Sequence, residues 1–99
     1  MTIPVRATII PSDMFCSVNG VGVSGSDMAS VATNVHAVQW FGTWGEEEIV
    51  DLETGRIIRN ETIRNLEDYQ AVLASYWEIR NTQYAADQEA IGEQTIIEV

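Results

Sequence analysis

The hydrophobic pattern of this chain changes its period once, at Asn65, and that change constrains the fold more than any other feature. From Asn65 onward the apolar residues step by three and four along one helical face; they are Leu66, Tyr69, Val72, Leu73, Tyr76 and Ile79. Asn65 is a suitable N-cap, and Gly92 stands where a C′ glycine ends a helix. The pattern predicts an amphipathic helix over residues 65–91 and a tail over residues 92–99.

The predicted helix is long for a small domain. From 66 to 91 it measures about 39 Å at the usual helical rise, whereas a compact domain of this size has a radius of gyration of about 13 Å. We therefore expect the helix to break near Asn81-Thr82 or to project. The tail has strand character over Thr95–Val99, so it pairs either with the parent sheet, which we favour, or with another protein's sheet.

A second local signal lies in the stretch Ser17–Gly25, whose glycines at 20, 22 and 25 have the G-x-G-x-x-G spacing of dinucleotide-binding proteins. No helix opens at the third glycine, so the pattern lacks the context that a phosphate site needs. Asn19-Gly20 instead separates the short apolar runs 14–18 and 21–23, which is typical of a tight hairpin. The stretch predicts a hairpin, with Gly22 permitting a bulge or a close approach of backbone, and no cofactor.

Three further strands are expected before Asn65. The run Val35–Phe41 is apolar on both alternating faces, which indicates an interior strand. Strands over Glu47–Asp51 and Arg56–Glu61 follow, joined by a turn in which Gly55 supplies backbone freedom. These three strands predict an antiparallel meander.

Together the segments predict an α+β protein. It has a small antiparallel β-sheet, made of an N-terminal hairpin and a three-stranded meander, with one long C-terminal α-helix and a terminal strand-like tail. With 99 residues, of which 45% are hydrophobic, the chain is expected to form a single domain over residues 1–99, mainly β over 1–63.

The charge is strongly acidic, with fifteen Asp and Glu against five Arg and no Lys, a formal net charge of −10. Binding to phosphate backbones depends on cationic side chains, so we expect no nucleic-acid partner. No segment approaches the length of an apolar membrane span, and we expect no membrane partner either. The acidity is typical of a soluble surface.

Catalytic and metal chemistry find little support in the sequence. His36, the only histidine, is expected to pack on the face shared with Val38 and Trp40. With one His and one Cys, the usual tetrahedral zinc site cannot be assembled within one chain. Adjacent carboxylates in the run Glu46-Glu47-Glu48 point to opposite faces of a strand and do not converge on one ion. We predict no enzyme and no metal site.

Two residue types remain as candidates for contacts with partners. The lone Cys16 is interpreted as a small buried hydrophobe, and an intermolecular disulfide stays open as the alternative. Trp40 is expected in the core, whereas Trp44 lies between two glycines at a strand end and is expected to be more exposed. Trp44 is suited to stacking on a sugar, to anchoring a protein interface, or to capping the local core.

Several of these segments carry a family resemblance. They are the hairpin ending Ser24-Gly25-Ser26-Asp27-Met28, then His36-Ala37-Val38-Gln39-Trp40 with Gly42 and Gly45, and then Asn60-Glu61-x-Ile63 before a helix with Leu66, Tyr69 and Trp77. Over about residues 8 to 80 the chain resembles small proteins encoded beside tail-fibre genes in tailed bacteriophages. The run Trp77–Asn81 is loosely similar to the W-x-x-I/V-R-x-x-R/K segment of phage tail-fibre assembly chaperones, with one residue instead of two between the Trp and the Ile.

The resemblance implies a virion accessory protein that binds a trimeric phage tail fibre and assists its folding, trimerisation or capping. It would be found in the virion tail-fibre region, and in the host cytoplasm during assembly. The partner-binding side chains are predicted to be Trp44, Tyr76, Trp77 and Tyr84, with self-association as a further expectation. Two alternatives stay open: a glycan-binding module at the fibre tip using Trp44, and an acidic host-directed inhibitor.

Overall fold

A computed structural model describes residues 5–83 of the chain. Six strands form one antiparallel sheet in the order β3-β2-β1-β4-β5-β6; they are β1 Ala7–Ile10, β2 Phe15–Val18, β3 Val21–Ser24, β4 Val35–Trp40, β5 Gly45–Val50 and β6 Ile57–Ile63. A 3-10 turn at Glu67–Tyr69 leads into a single helix, α1, over residues 70–83. The predicted α+β class is confirmed.

The hairpin and the meander are both present, and a strand that was not predicted joins them. β1 pairs with β2 of the hairpin on one side and with β4 of the meander on the other. Its apolar run is only four residues long and is followed at once by Pro11, so it carries little sequence signal of its own. Because of β1, the predicted elements form one continuous sheet.

The turn predictions are confirmed by the backbone. Asn19 and Gly20 have φ of 50° and 86°, the positive values that a two-residue hairpin turn requires. Gly55 also has a positive φ, in the turn between β5 and β6. Gly22 lies under the Phe15 ring, and a Cβ there would stand 2.8 Å from two ring carbons. Gly22 is paired regularly with Ser17, so neither the bulge nor the close approach of backbone is found there, and the group that approaches Gly22 is the Phe15 ring.

β4 is an interior strand, as predicted, and Trp40 is buried. The prediction that His36 packs beside Val38 and Trp40 is wrong, because His36 is exposed. The register between β4 and β5 shifts between Val35 and Ala37, and this bulge breaks the alternation on which the prediction rested. The extra residue of the bulge is His36, and its side chain is released to solvent.

One face of the sheet is covered by α1, and the core lies between them. The buried set from the sheet is Ala7, Ile9, Cys16, Val18, Val23, Val35, Val38, Trp40 and Ile49; Tyr69, Val72, Leu73 and Tyr76 complete it from the helical segment. These last four belong to the predicted apolar stripe, which confirms the face of the helix that packs inward.

The ends of the helix differ in part from the prediction. Asn65 Oδ1 accepts a hydrogen bond from the Glu67 backbone N–H (3.1 Å), so Asn65 does cap the segment, but the first turn is 3-10 and the α-helix begins at residue 70. The helix passes through Asn81 and Thr82 without a break. The predicted end near residue 91, Gly92 and the strand-like tail 92–99 lie outside the described residues.

Candidate interaction surface

The most exposed aromatic group of the described chain lies where β4 turns into β5. Phe41 and Trp44 have ring centroids 4.8 Å apart, and each side chain is 38% exposed. The guanidinium carbon of Arg6 lies 6.0 Å from the centroid of the Phe41 ring, and Val5 is also exposed. We call these four residues, Val5, Arg6, Phe41 and Trp44, the aromatic corner.

Local backbone contacts fix the shape of the aromatic corner. The Phe41 N–H donates to Trp44 O at 2.8 Å, which closes the turn and brings the two rings together. Gly42 has φ of 102°, and a Cβ there would lie 3.0 Å from Val5 O. Glycine at this position therefore allows the segment before β1 to approach the turn.

The hairpin turn between β2 and β3 holds that segment from its other side. Asn19 Oδ1 accepts hydrogen bonds from the N–H groups of Val5 and Arg6, both at 3.0 Å, and the Asn19 N–H donates to Arg6 O. Asn19 thus has two functions, since it forms the turn and positions two residues of the aromatic corner.

This arrangement is suited to recognition by contact. Two tilted rings beside a cation present an apolar surface with one donor group at its margin, and aromatic and arginine side chains are the types enriched at interface hot spots. The prediction that Trp44 is more exposed than Trp40 is confirmed. In the sequence Phe41 is only the last residue of the apolar run Val35–Phe41, and no local signal connects Arg6 to this turn.

Trp77 occupies a different place, on α1. It is partly buried against the core, its ring meets Tyr76 edge-on at 5.2 Å, and the Arg80 guanidinium carbon lies 4.9 Å from its centroid. The indole Nε1 is buried and has no hydrogen-bond partner among the described residues. Trp77 therefore offers a partner only part of its ring, with Arg80 stacked against it.

Tyr76 is a core residue, and its selection as a partner-binding side chain is corrected. It is fully buried, and its hydroxyl donates to the backbone oxygen of Val21 at 2.7 Å. Tyr76 belongs to the apolar stripe of the helix, and that stripe faces the core. Its position in the stripe therefore places the ring in the core. Tyr84, the fourth selected residue, lies outside the described residues.

Cys16 is completely buried in β2, which agrees with its interpretation as a small hydrophobe. Burial raises the pKa of its thiol from 9.0 to about 11, so the reactive thiolate is scarce at neutral pH. In this fold the sulfur is not exposed to a second chain, which speaks against the alternative of a disulfide between chains.

The acidic run on β5 shows an interaction that the sequence did not reveal. Tyr69 donates a hydrogen bond from its hydroxyl to Glu47 Oε2. Burial, followed by the bond and the charge of Glu47, raises the pKa of Tyr69 well above its usual range. Glu47 lies directly opposite Glu61 of β6, an unfavourable pairing of like charges. Tyr69 stabilises one carboxylate of that pair, and Arg59, whose Nε is 2.7 Å from Glu61 Oε1, neutralises the other.

The described chain also contains an open depression of about 380 Å³ at the end of the sheet where β4 begins. Its lining is mainly apolar, and His36 is its single titratable residue. No carboxylate lines it to orient the imidazole, as the base of a nucleophilic site requires. Within residues 5–83 there is no cluster of His, Cys, Asp and Glu able to hold a metal ion.

Within the same described part of the chain, no helix has the length and apolar character needed to cross a membrane.

Comparisons with known proteins give no relative: no family model, no curated protein and no solved structure matches this chain.

Proposed function

We propose that this chain is an accessory protein of a bacteriophage tail fibre, which it binds through the aromatic corner. The observation that carries the proposal is the exposed Phe41–Trp44 pair, held by backbone contacts at the end of a sheet. The resemblance of residues 8 to 80 to proteins encoded beside tail-fibre genes supplies the identity of the partner.

A preformed corner binds at a low entropic cost. The turn 41–44 is closed by its own hydrogen bond, and the segment at residues 5–6 is held by Asn19, so little ordering remains to be done on binding. A protein that binds the folded fibre better than the unfolded fibre chain stabilises the folded state by mass action. Covering strand edges of the fibre chain during assembly also suppresses its aggregation.

The test is co-expression of the full chain with the fibre protein, followed by affinity capture and mass measurement of the complex. We expect a complex in whole-number ratio to a fibre trimer, and a loss of soluble fibre when this chain is omitted. Trp44→Ala should weaken capture by about tenfold or more, as expected for a central aromatic anchor.

Leu52→Ala is the matched control for that substitution. Leu52 is an exposed apolar residue in the turn between β5 and β6, at the opposite end of the strands from the aromatic corner. Its removal should leave capture unchanged. Equal capture by Trp44→Ala and the unsubstituted chain contradicts a role for this corner, and soluble fibre without the chain contradicts the chaperone role.

The exposure of Trp44 also favours a second candidate, a glycan-binding module that uses the indole as a stacking platform. Sugars drawn from host surface polysaccharides should then quench tryptophan fluorescence, and Trp44→Ala should abolish the change while Trp40 and Trp77 remain. Absence of any sugar-dependent change rejects this candidate and leaves the fibre proposal unaffected.

A further inference from the structure

The outer edge of β6 has no partner strand among the described residues, because β6 is the last strand of the sheet. All of its residues except Ile63 are exposed, and Ile57 and Ile58 are 52% and 55% exposed. At seven residues it is also the longest strand of the described sheet. An exposed edge of this length and composition is a template for pairing with another strand.

We propose that the β6 edge pairs with β6 of a second copy of this chain, antiparallel and centred on Asn60. The register between β5 and β6 shifts between Ile57 and Arg59, which leaves Ile58 as the extra residue of a bulge. The proposed pairing therefore uses the regular part of the strand beyond it, where Asn60 faces Asn60 of the second copy and Arg59 faces Glu61. The two sheets become one continuous sheet, related by a twofold axis. The interface is isologous, the commonest type in homodimers.

The hydrogen-bond pattern of the sheet allows this register. Phe41 N–H bonds to Trp44 O, and bonded pairs alternate along an antiparallel ladder. The backbone groups of Glu46 and Glu48 therefore turn toward β4, and those of Glu47 turn toward its opposite residue Glu61. It follows that Asn60 and Thr62 turn their backbone N–H and C=O groups outward, where the second copy binds.

The side-chain charges select this register among those that the backbone permits. With Asn60 at the centre, Arg59 faces Glu61 of the second copy, twice by symmetry, at a pair where side chains lie close. Sliding the second strand by two residues in one direction places Arg59 opposite Arg59. Sliding it by two residues in the other direction places Glu61 opposite Glu61, and in both cases like charges face each other directly. In the central register the existing Arg59–Glu61 pair becomes a ring of two cations and two anions.

The apolar residues of the strand add contact in the same register. Ile63 of one copy comes to lie near the exposed Ile57 and Ile58 of the other, at each end of the paired segment. The net charge of −10 on each copy opposes association, so an arrangement that brings opposite charges together at the centre is required for the pairing to form.

The test is the mass of the full chain in solution across a concentration series, by light scattering and sedimentation equilibrium. We expect a monomer–dimer equilibrium. Arg59→Glu and Glu61→Arg, each alone, place like charges opposite one another across the twofold axis and should raise the dissociation constant by about tenfold or more. The double substitution Arg59→Glu with Glu61→Arg restores opposite charges at every facing pair and should restore the dimer.

Arg80→Glu, which changes the net charge by the same amount as Arg59→Glu but lies on α1, should leave the dimer intact. A chain that is monomeric at every concentration overturns the proposal, and so does a dimer that the single substitutions leave unchanged or that the double substitution fails to restore. Removal of residues 92–99 distinguishes another occupant: dimer formation only after this removal shows that the chain's own tail occupies the edge, which also overturns the proposal.

Discussion

The two edges of the sheet differ in how the rest of the chain treats them. β3, at one edge, has four residues and is tied to α1: the Tyr76 hydroxyl bonds to Val21 O, and the Asp27 N–H beyond the strand donates to Ser75 Oγ of the helix. β6, at the other edge, has seven residues and is almost entirely exposed. Among the described residues, therefore, the helix is hydrogen-bonded to the strand at one edge of the sheet and makes no such bond to the strand at the other.

The course of α1 explains the contrast. The helical segment begins with Tyr69 bonded to Glu47 of β5 and continues to Tyr76, which bonds to β3. It therefore crosses the sheet away from β6, and the core beneath it lies mainly over β3, β2, β1 and β4. Substitutions of core residues beneath the helix should lower the free energy of unfolding, whereas substitutions on β6 should change the affinity between two copies of the chain.

The largest effect is expected for Tyr76→Ala, which removes a fully buried ring from the side of the sheet where the helix bonds to β3. Loss of such a side chain costs about 3–5 kcal/mol in the free energy of unfolding. Tyr76→Phe, which keeps the ring and removes only the bond to Val21 O, should cost about 1 kcal/mol. Both are measured by denaturant unfolding at a fixed protein concentration. A cost for Tyr76→Ala no larger than that for Tyr76→Phe would contradict the assignment of the ring to the core.

The next effect concerns pH and the buried thiol. The unfolded chain releases the Cys16 proton above pH 9, whereas the folded chain holds it to about pH 11. The folded state therefore binds more protons in this window, and its stability is fully present below pH 9 and falls as the pH rises, by about 2–3 kcal/mol. Tyr69, whose pKa is also raised, extends the fall above pH 10.

Denaturant unfolding at a series of pH values checks this prediction. Cys16→Ala should remove the part of the fall between about pH 9 and pH 11, in proportion to the shift of the thiol, and leave the part that belongs to Tyr69. An unchanged profile in Cys16→Ala would show that the thiol is not the titrating group.

A somewhat smaller loss is expected for Tyr69→Phe, which tests the connection between the helical segment and β5. The substitution leaves the Glu47 carboxylate half-buried and without the hydroxyl donor, opposite Glu61, and should cost about 1–2 kcal/mol. Glu47→Gln in the same background should recover part of the loss, because it removes the like charge. A double-mutant cycle over the two positions measures the coupling, and additive effects would mean that the bond between Tyr69 and Glu47 contributes nothing to stability.

The smallest effect on folding is expected on β6 itself. Ile58→Thr changes an exposed side chain outside the core and should alter the free energy of unfolding by about 0.5 kcal/mol or less under conditions where the chain is monomeric. A loss as large as that for Tyr76→Ala would abolish the contrast between the two edges.

The sequence predicts the parts of this fold that are encoded locally. Asn19-Gly20 and Gly55 define turns through residues that tolerate positive φ, and the period of the apolar residues identifies the buried face of α1. β1 is missed because its apolar run is as short as many loop segments. The strand is defined by its pairing with β2 on one side and β4 on the other. His36 is misplaced because a bulge of one residue interrupts the alternation, so that His36 no longer shares a face with Val38 and Trp40.

The candidate site is predictable only in part for the same reason. Trp44 stands between glycines at a strand end, and that context alone indicates exposure. Arg6 and Val5 join it only because Asn19 holds their backbone, a contact between residues that are distant in sequence. Tyr76 was selected for its residue type, whereas its position on the inward stripe determines its burial.

Amide hydrogen exchange, measured residue by residue at low and high protein concentration, tests the contrast between the edges most directly. The outward amides of Asn60 and Thr62 should exchange rapidly at low concentration and become protected as concentration rises, while protection within β3 stays the same. Slow exchange of Asn60 and Thr62 even at the lowest concentration, or an equal response of both edges, would contradict an open β6 edge that pairs with its own copy.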